Sequence, residues 1–132
     1  MRSIYRLSQF LIQPSLFEAS SLPIHEAWLE GVPVACANAT ALPDQVLDAG
    51  LLFDPNSVEA IADVMADIAT KNEVREKLRR KGFQRLQDFD CERTAKAYRA
   101  VYRKAAGFLL TDEDRWLLEW DWMRDPKRRI EN

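Results

Sequence analysis

The sequence predicts an α/β domain with a short parallel sheet, flanking helices and a helical C-terminal tail. Three observations predict it. The first 55 residues hold three brief apolar runs, a compact helical stretch separates the first run from the second, and helical periodicity continues unbroken from Asn56 onward. At 132 residues, with 47% hydrophobic and 30% charged content, the chain has enough apolar surface for a real core.

The elements follow in order. "QFLIQP" is the first apolar run, "LPIHEAWLEG" a helix closed by Gly31, "VPVACA" the second run and "LLFDP" the third. Run, helix and run make a βαβ unit, whose crossover is expected to be right-handed. "ALPDQVLDA" adds a short helix before the third run. A longer helix is expected to open with Asn56 capping towards Glu59 and to bury Val58, Ile61, Ala62, Met65, Ile68 and Ala69 on one face. The next, from about residue 73 to 88, turns Val74, Leu78, Leu86 and Phe89 to the core. A third, from about 92 to 106, uses Ala95, Tyr98, Val101, Tyr102 and Ala105 and ends at Gly107. A last helix starts at a Thr111 to Asp114 box, places Trp116, Leu117, Trp120 and Met123 at helical spacing, and stops before Pro126.

Charge is distributed unevenly. Residues 7 to 70 contain no Lys or Arg while carrying nine acidic residues, whereas residues 73 to 104 hold eleven Lys/Arg against five Asp/Glu. Those basic residues alternate with apolar ones at helical spacing, so they read as a solvated helix face and no nucleic-acid partner is expected. No apolar run approaches the ~20 residues that span a bilayer, and the first residues lack a secretory h-region and cleavage site, so a cytoplasmic location, with or without contact to the inner face of a membrane, is the expectation. Cys36 and Cys91 match no metal or redox spacing.

The stretch "EASSLPIHE" carries the chemistry. In an open parallel sheet, ligands bind beyond the carboxyl ends of the strands, where a loop enters a helix N-terminus. Glu18 lies on that loop and Glu26 on the first turns of the helix, with the Ser20 to Pro23 turn between them. Unpaired N–H groups at a helix start suit an anion such as a diphosphate, and flanking carboxylates suit paired hydroxyls on a sugar or ribose. The plainer alternative is a Glu26 favoured by the helix dipole alone and a Glu18 that is an ordinary loop residue. His25 has no partners from which a nucleophilic triad could be argued.

Residues Pro14-Ser15, Glu18, Leu22-Pro23, Glu26-Ala27, Gly31, Pro33-Val34, Asn38, Pro43-Asp44 and Leu52-Phe53-Asp54-Pro55 stand in one order and register. This pattern, running from residue 9 to about 104, resembles the C-terminal donor-binding domain of the retaining, GT-B fold glycosyltransferases of family 4, the "glycosyl transferases group 1". The resemblance implies a partial Rossmann-like domain over residues 1–107 that binds a nucleotide-sugar donor. It implies that Glu18 holds the hydroxyls of the donor sugar, making it the catalytic candidate, that Glu26 holds the ribose, and that backbone groups of Ala19, Ser20, Ser21 and Leu22 contact the sugar and diphosphate. It implies no metal and no other cofactor.

The chain departs from the family pattern at three points. Ala19 and Ser21 stand where the family turn has glycines, and Cys91 replaces an aromatic residue that often opens the C-terminal helix. Most of all, the sequence starts at about the strand leading into this block, so the family's N-terminal acceptor domain and its basic residues are expected to be missing, and the chain alone is expected to bind a donor weakly and to transfer no sugar. The alternative is a non-catalytic interaction module that has kept the fold. Trp116, Trp120 and Trp122 in residues 108–132 are expected to form a docking helix for an acceptor-domain polypeptide, or for a second copy of the chain through Trp116 and Trp120, the alternative being a helix that simply caps the domain's own core.

Overall fold

The computed structural model describes residues 2–121. Its contacts divide the chain into two units, Met1–Gln87 and Asp88–Asn132. The first unit is built on three parallel strands, β1 (Leu11–Gln13), β2 (Val34–Ala37) and β3 (Gly50–Phe53), in the order β1-β2-β3. Leu11 pairs with Val34 and Gln13 with Cys36 on one side; Val34 pairs with Gly50 and Ala37 with Phe53 on the other. All four residues of β2 are buried, which explains why "VACA" is an unbroken apolar run: a central parallel strand is covered on both faces.

Six helices carry the rest of the described chain beyond a short opening one. α1 (Arg2–Leu7) precedes β1, α2 (Leu22–Leu29) joins β1 to β2, and α3 (Leu42–Val46) joins β2 to β3. α4 (Val58–Thr70) and α5 (Asn72–Leu86) complete the first unit, and α6 (Cys91–Ala105) and α7 (Asp112–Glu119) form the second. Trp122 and Met123 lie outside the described residues.

Helix ends follow from local chemistry. Gly31 takes φ +71, the left-handed conformation glycine adopts without strain, and its N–H donates to the Trp28 carbonyl at 3.0 Å, closing α2. The cap of α4 is Ser57 rather than Asn56: the Ser57 hydroxyl accepts from the Ala60 N–H at 3.1 Å. Asn56 is otherwise engaged, its own N–H donating to Asp54 Oδ1 at 2.9 Å in the preceding turn.

The core of the first unit gathers Ile24, Ala27 and Trp28 of α2, all of β2, Leu42 and Val46 of α3, Phe53, Ile68 of α4 and Leu78 of α5. Of the α4 stripe, Ile68 is buried, Ile61 and Ala69 are half-buried, and Val58, Ala62 and Met65 are exposed. α5 approaches α2 closely at Gly82, where a Cβ would stand 2.3 Å from Trp28 Cδ1. Its charges are not all solvated. Arg85 is buried and donates to the Asp44 and Gln45 carbonyls at 2.9 and 3.0 Å, while Arg79 donates to the Gly31 carbonyl at 2.6 Å. The guanidinium groups thus occupy carbonyls at the ends of α3 and α2, where positive charge is favoured.

In the second unit Asp90 caps α6 and a reciprocal box starts α7, with the Asp114 N–H on Thr111 Oγ1 at 3.1 Å and the Thr111 N–H on Asp114 Oδ2 at 3.0 Å. Asp114 is buried and paired with Arg99 at 3.1 Å; the Thr111 backbone bond and Arg99 hold its carboxyl below the usual carboxylate range. α7 packs Leu117 and Trp120, with Trp116 and Trp120 ring centroids 4.7 Å apart and the Arg93 guanidinium 4.8 Å over the Trp120 ring. The face of α6 differs from the sequence expectation: Ala100 is buried, whereas Tyr98, Val101 and Tyr102 are exposed. Periodicity located the apolar stripe, but burial fell on the side where Lys96 and Arg99 reach Glu113 at 3.1 and 2.8 Å.

Candidate functional site

β1 ends at Gln13, and the chain then crosses its carboxyl end through Glu18, Ala19, Ser20 and Ser21 before α2 begins at Leu22. Ser21 is the residue before the helix, with extended φ and ψ of −99° and 104°, and Pro23 occupies the second helical position. The first four N–H groups of a helix have no intrahelical acceptor. Here Pro23 has none, and that of Ser21 donates to Gln45 Oε1 at 2.8 Å. The amides that helix geometry leaves facing the turn are therefore those of Leu22 and Ile24. Ala19, Ser20 and Leu22 are exposed, and Ser21 is buried, its hydroxyl oxygen lacking a hydrogen-bond partner among the described residues.

The two glutamates differ in setting. Glu18 is partly buried, and its Oε1 accepts from Gln13 Nε2 at 2.9 Å and Ser15 Oγ at 3.2 Å. Those bonds tie the carboxylate to the end of β1 and to the Pro14-Ser15 turn. Glu26 is exposed and sits at the fifth helical position, so α2 has no acidic residue in its first turn. That agrees with its place on the first turns of the helix, and it removes the helix dipole as a sufficient reason for Glu26, because that effect fades beyond the first turn. Its Oε2 instead accepts from the Tyr5 hydroxyl at 2.7 Å. Burial first, and Glu26 next, push the Tyr5 phenol above its ordinary range.

α1 is held against α2 by charge. Arg2 and Arg6 each donate through Nε to Glu30 at 2.6 Å, and both arginines hold the Glu30 carboxyl below its usual range. A small cleft of about 90 Å³ lies between Arg2, Tyr5, Glu26, Leu29 and Glu30.

His25 is half-buried, its Nε2 lying 3.2 Å from Gln45 Nε2. Because Gln45 Oε1 is taken by the Ser21 N–H, its Nε2 is the donor, so His25 Nε2 accepts and the ring is neutral with its proton on Nδ1. Burial, and then the positive charge of Arg85, lower the His25 pKa in agreement with this.

The structure therefore brings Glu18, Ala19, Ser20, Ser21 and Leu22 together at one sheet end and places Glu26 on the helix they lead into. Sequence reading passed over Tyr5, Thr40 and Gln45. Thr40 Oγ1 accepts from the Glu18 N–H at 2.9 Å and donates to the Glu18 carbonyl at 2.8 Å. None of the three belongs to a periodic pattern; the only available signal was polar residues inside otherwise apolar or turn segments.

Comparison with known proteins adds to this geometry. Residues 1–85 match the model of the family described as "Glycosyl transferases group 1". The O-antigen chain mannosyltransferase B of Escherichia coli is 37% identical over 102 residues, covering 74% of this chain and 27% of its own length. A D-inositol 3-phosphate glycosyltransferase of Saccharomonospora viridis is 35% identical over 105 residues, covering 78% of this chain and 24% of its own. Among solved structures, a sucrose-phosphate synthase from Thermosynechococcus elongatus is similar at a TM-score of 0.70 and 26% identity, over 79% of this chain and 27% of that one. The chain spans about a quarter of the length of these relatives.

Proposed function

We propose that this chain, which belongs to the glycosyl transferases group 1 family, is the donor-binding part of a retaining family 4 glycosyltransferase and binds a nucleotide-sugar at the start of α2. One observation carries this: the Glu18 to Ser21 loop leads from the carboxyl end of β1 into a helix whose start has no side-chain cap, with Glu18 before it and Glu26 one turn into it. A donor diphosphate would be received by backbone N–H groups of the turn and of Leu22. Glu18, anchored through one carboxylate oxygen, would accept from hydroxyls of the transferred sugar beside its anomeric carbon, and Glu26 from the ribose. In retaining transfer the bond from the anomeric carbon to the diphosphate breaks while the acceptor oxygen bonds to that carbon on the same face. The diphosphate leaves with the electron pair, and the acceptor hydroxyl passes its proton to the departing diphosphate oxygen on that same face. In this proposal no metal takes part.

Two features support weak donor affinity and no transfer by this chain alone. It spans about a quarter of its relatives' length, and residues 7 to 70 supply no Lys or Arg to the diphosphate. A helix N-terminus alone contributes roughly 0.3–1 kcal/mol. An acceptor domain on a second polypeptide segment would complete the site.

The test is an NMR shift titration with UDP-glucose, GDP-mannose and ADP-glucose, on the wild type and on Glu26→Ala. Shifts confined to residues 15 to 26 that weaken in the variant are expected. Flat spectra from the folded chain would sink the donor site and favour an interaction module. That second possibility has one observation behind it: Tyr98, Val101 and Tyr102 are 60%, 48% and 67% exposed along α6, beside a groove of about 280 Å³ bordered by Leu117 and Trp120. In that reading docking would use the exposed α6 side chains of the helical tail, Trp120 itself being buried, and concentration-dependent light scattering would report a second copy.

A further inference from the structure

We propose that Thr40 and Gln45 are positioning residues that clamp the Glu18 to Ser21 turn at both ends, so that the turn is formed before any donor arrives. The role rests on the donor site proposed above.

The same device is used twice. The Thr40 hydroxyl accepts from the N–H of Glu18 and donates to its carbonyl, at 2.9 and 2.8 Å. The Gln45 amide accepts from the N–H of Ser21 and donates to its carbonyl, both at 2.8 Å. Each side chain thereby satisfies both backbone groups of one residue, as a neighbouring strand would, in a segment that pairs with no strand. Both come from the connection between β2 and β3, which runs beside the turn, and Ala41 N–H adds a longer bond to the Glu18 carbonyl at 3.4 Å. Ala19 and Ser20, the residues between the clamped ends, carry no such tie and are exposed.

The second half of the clamp is itself braced. Gln45 is buried at 3% exposure, its carbonyl accepts from Arg85 Nε at 3.0 Å, and its Nε2 lies 3.2 Å from His25 Nε2. The first half is held under strain. Thr40 has φ +48, in the left-handed region that a β-branched residue avoids. Such a conformation persists only where surrounding interactions outweigh its cost, and the paired bond to Glu18 is the interaction available. A turn fixed in advance spends less of its binding energy on ordering, which matters most where residues 7 to 70 offer a diphosphate no Lys or Arg.

The strain at Thr40 shapes the experiment. Thr40→Gly relieves φ +48 but loses the hydroxyl that clamps Glu18 and loosens the unfolded chain, so thermal stability is expected to fall modestly, the strain relief offsetting part of the loss. Gln45→Met keeps the buried volume and removes both bonds to Ser21. In NMR titrations with UDP-glucose, GDP-mannose and ADP-glucose, each variant should bind about tenfold more weakly than the wild type, and Thr40→Ser, which keeps the hydroxyl, should bind within about twofold of it. Backbone amides of Glu18 and Ser21 should exchange faster with solvent in the respective variants. Wild-type affinity in a stable Thr40→Gly and in Gln45→Met overturns the clamp, as does a loss in Thr40→Ser equal to that in Thr40→Gly. A wild type that binds none of the three sugars overturns the donor site instead, and the positioning role falls with it.

Discussion

The Tyr5 hydroxyl donates to Glu26 Oε2 at 2.7 Å, joining the first helix of the chain to the carboxylate on α2 that the family resemblance assigns to the ribose. The bond fixes one carboxylate oxygen of the proposed donor site. Tyr5→Phe should therefore weaken donor binding several-fold while costing the fold at most about 1 kcal/mol, the scale of a partly exposed hydrogen bond. The phenol supplies a second readout. With its folded pKa raised, Tyr5 contributes stability that is fully present below the ordinary tyrosine value of about 10 and is lost as pH rises through the folded pKa. Ultraviolet titration should show the Tyr5 phenol ionising late, and Glu26→Gln should bring it part of the way back, since burial remains.

Gly82 admits the Trp28 ring between α2 and α5. A Cβ there would lie 2.3 Å from Cδ1 and 2.7 Å from Nε1. Alanine is the better helix former by about 1 kcal/mol, yet the forced shift of a buried ring outweighs it. Gly82→Ala should lose about 1–3 kcal/mol in urea unfolding followed by tryptophan fluorescence. An unchanged midpoint would mean that α5 slides at no cost.

His25 links stability to pH. Its folded pKa is lowered, so the unfolded chain binds the proton more readily, and stability is complete above the unfolded value of about 6.5 and falls as pH drops from there through the folded pKa. Unfolding free energies at pH 7.5 and pH 5.5 should differ in the wild type, and His25→Gln should flatten that interval. Glu30 and Asp48, whose pKa values are lowered by arginine and lysine partners, lose their contributions only in the more acidic carboxylate range.

The two cysteines should react differently. Burial pushes the Cys36 thiol up to about 12, within the fully buried β2, whereas Cys91 is exposed at the start of α6. Iodoacetamide at pH 8 should add one label to the native chain and two in denaturant, with mass spectrometry placing the first on Cys91. Rapid native labelling of Cys36 would show that the sheet opens readily.

The sequence by itself determined the elements that repeat. The runs around Leu11, Val34 and Leu51 are strands of one parallel sheet, Gly31 ends α2, and Thr111 with Asp114 starts α7, because burial periodicity and cap chemistry act over a few residues. Glu18 and Glu26 were legible as candidates through their spacing around a loop and a helix start. Two features were not: α1 is too short for periodicity, and the cap of α4 fell to Ser57 because Asn56 was drawn into the Asp54 turn. Only the tertiary structure decided what those glutamates touch. Tyr5 meets Glu26 across 21 positions, Thr40 meets Glu18 across 22, Gln45 meets Ser21 across 24, and Arg85 reaches Asp44 across 41. Each of these is a directional bond between single polar atoms, and its partner is set by how the helices and the sheet pack, a geometry that local patterning does not encode.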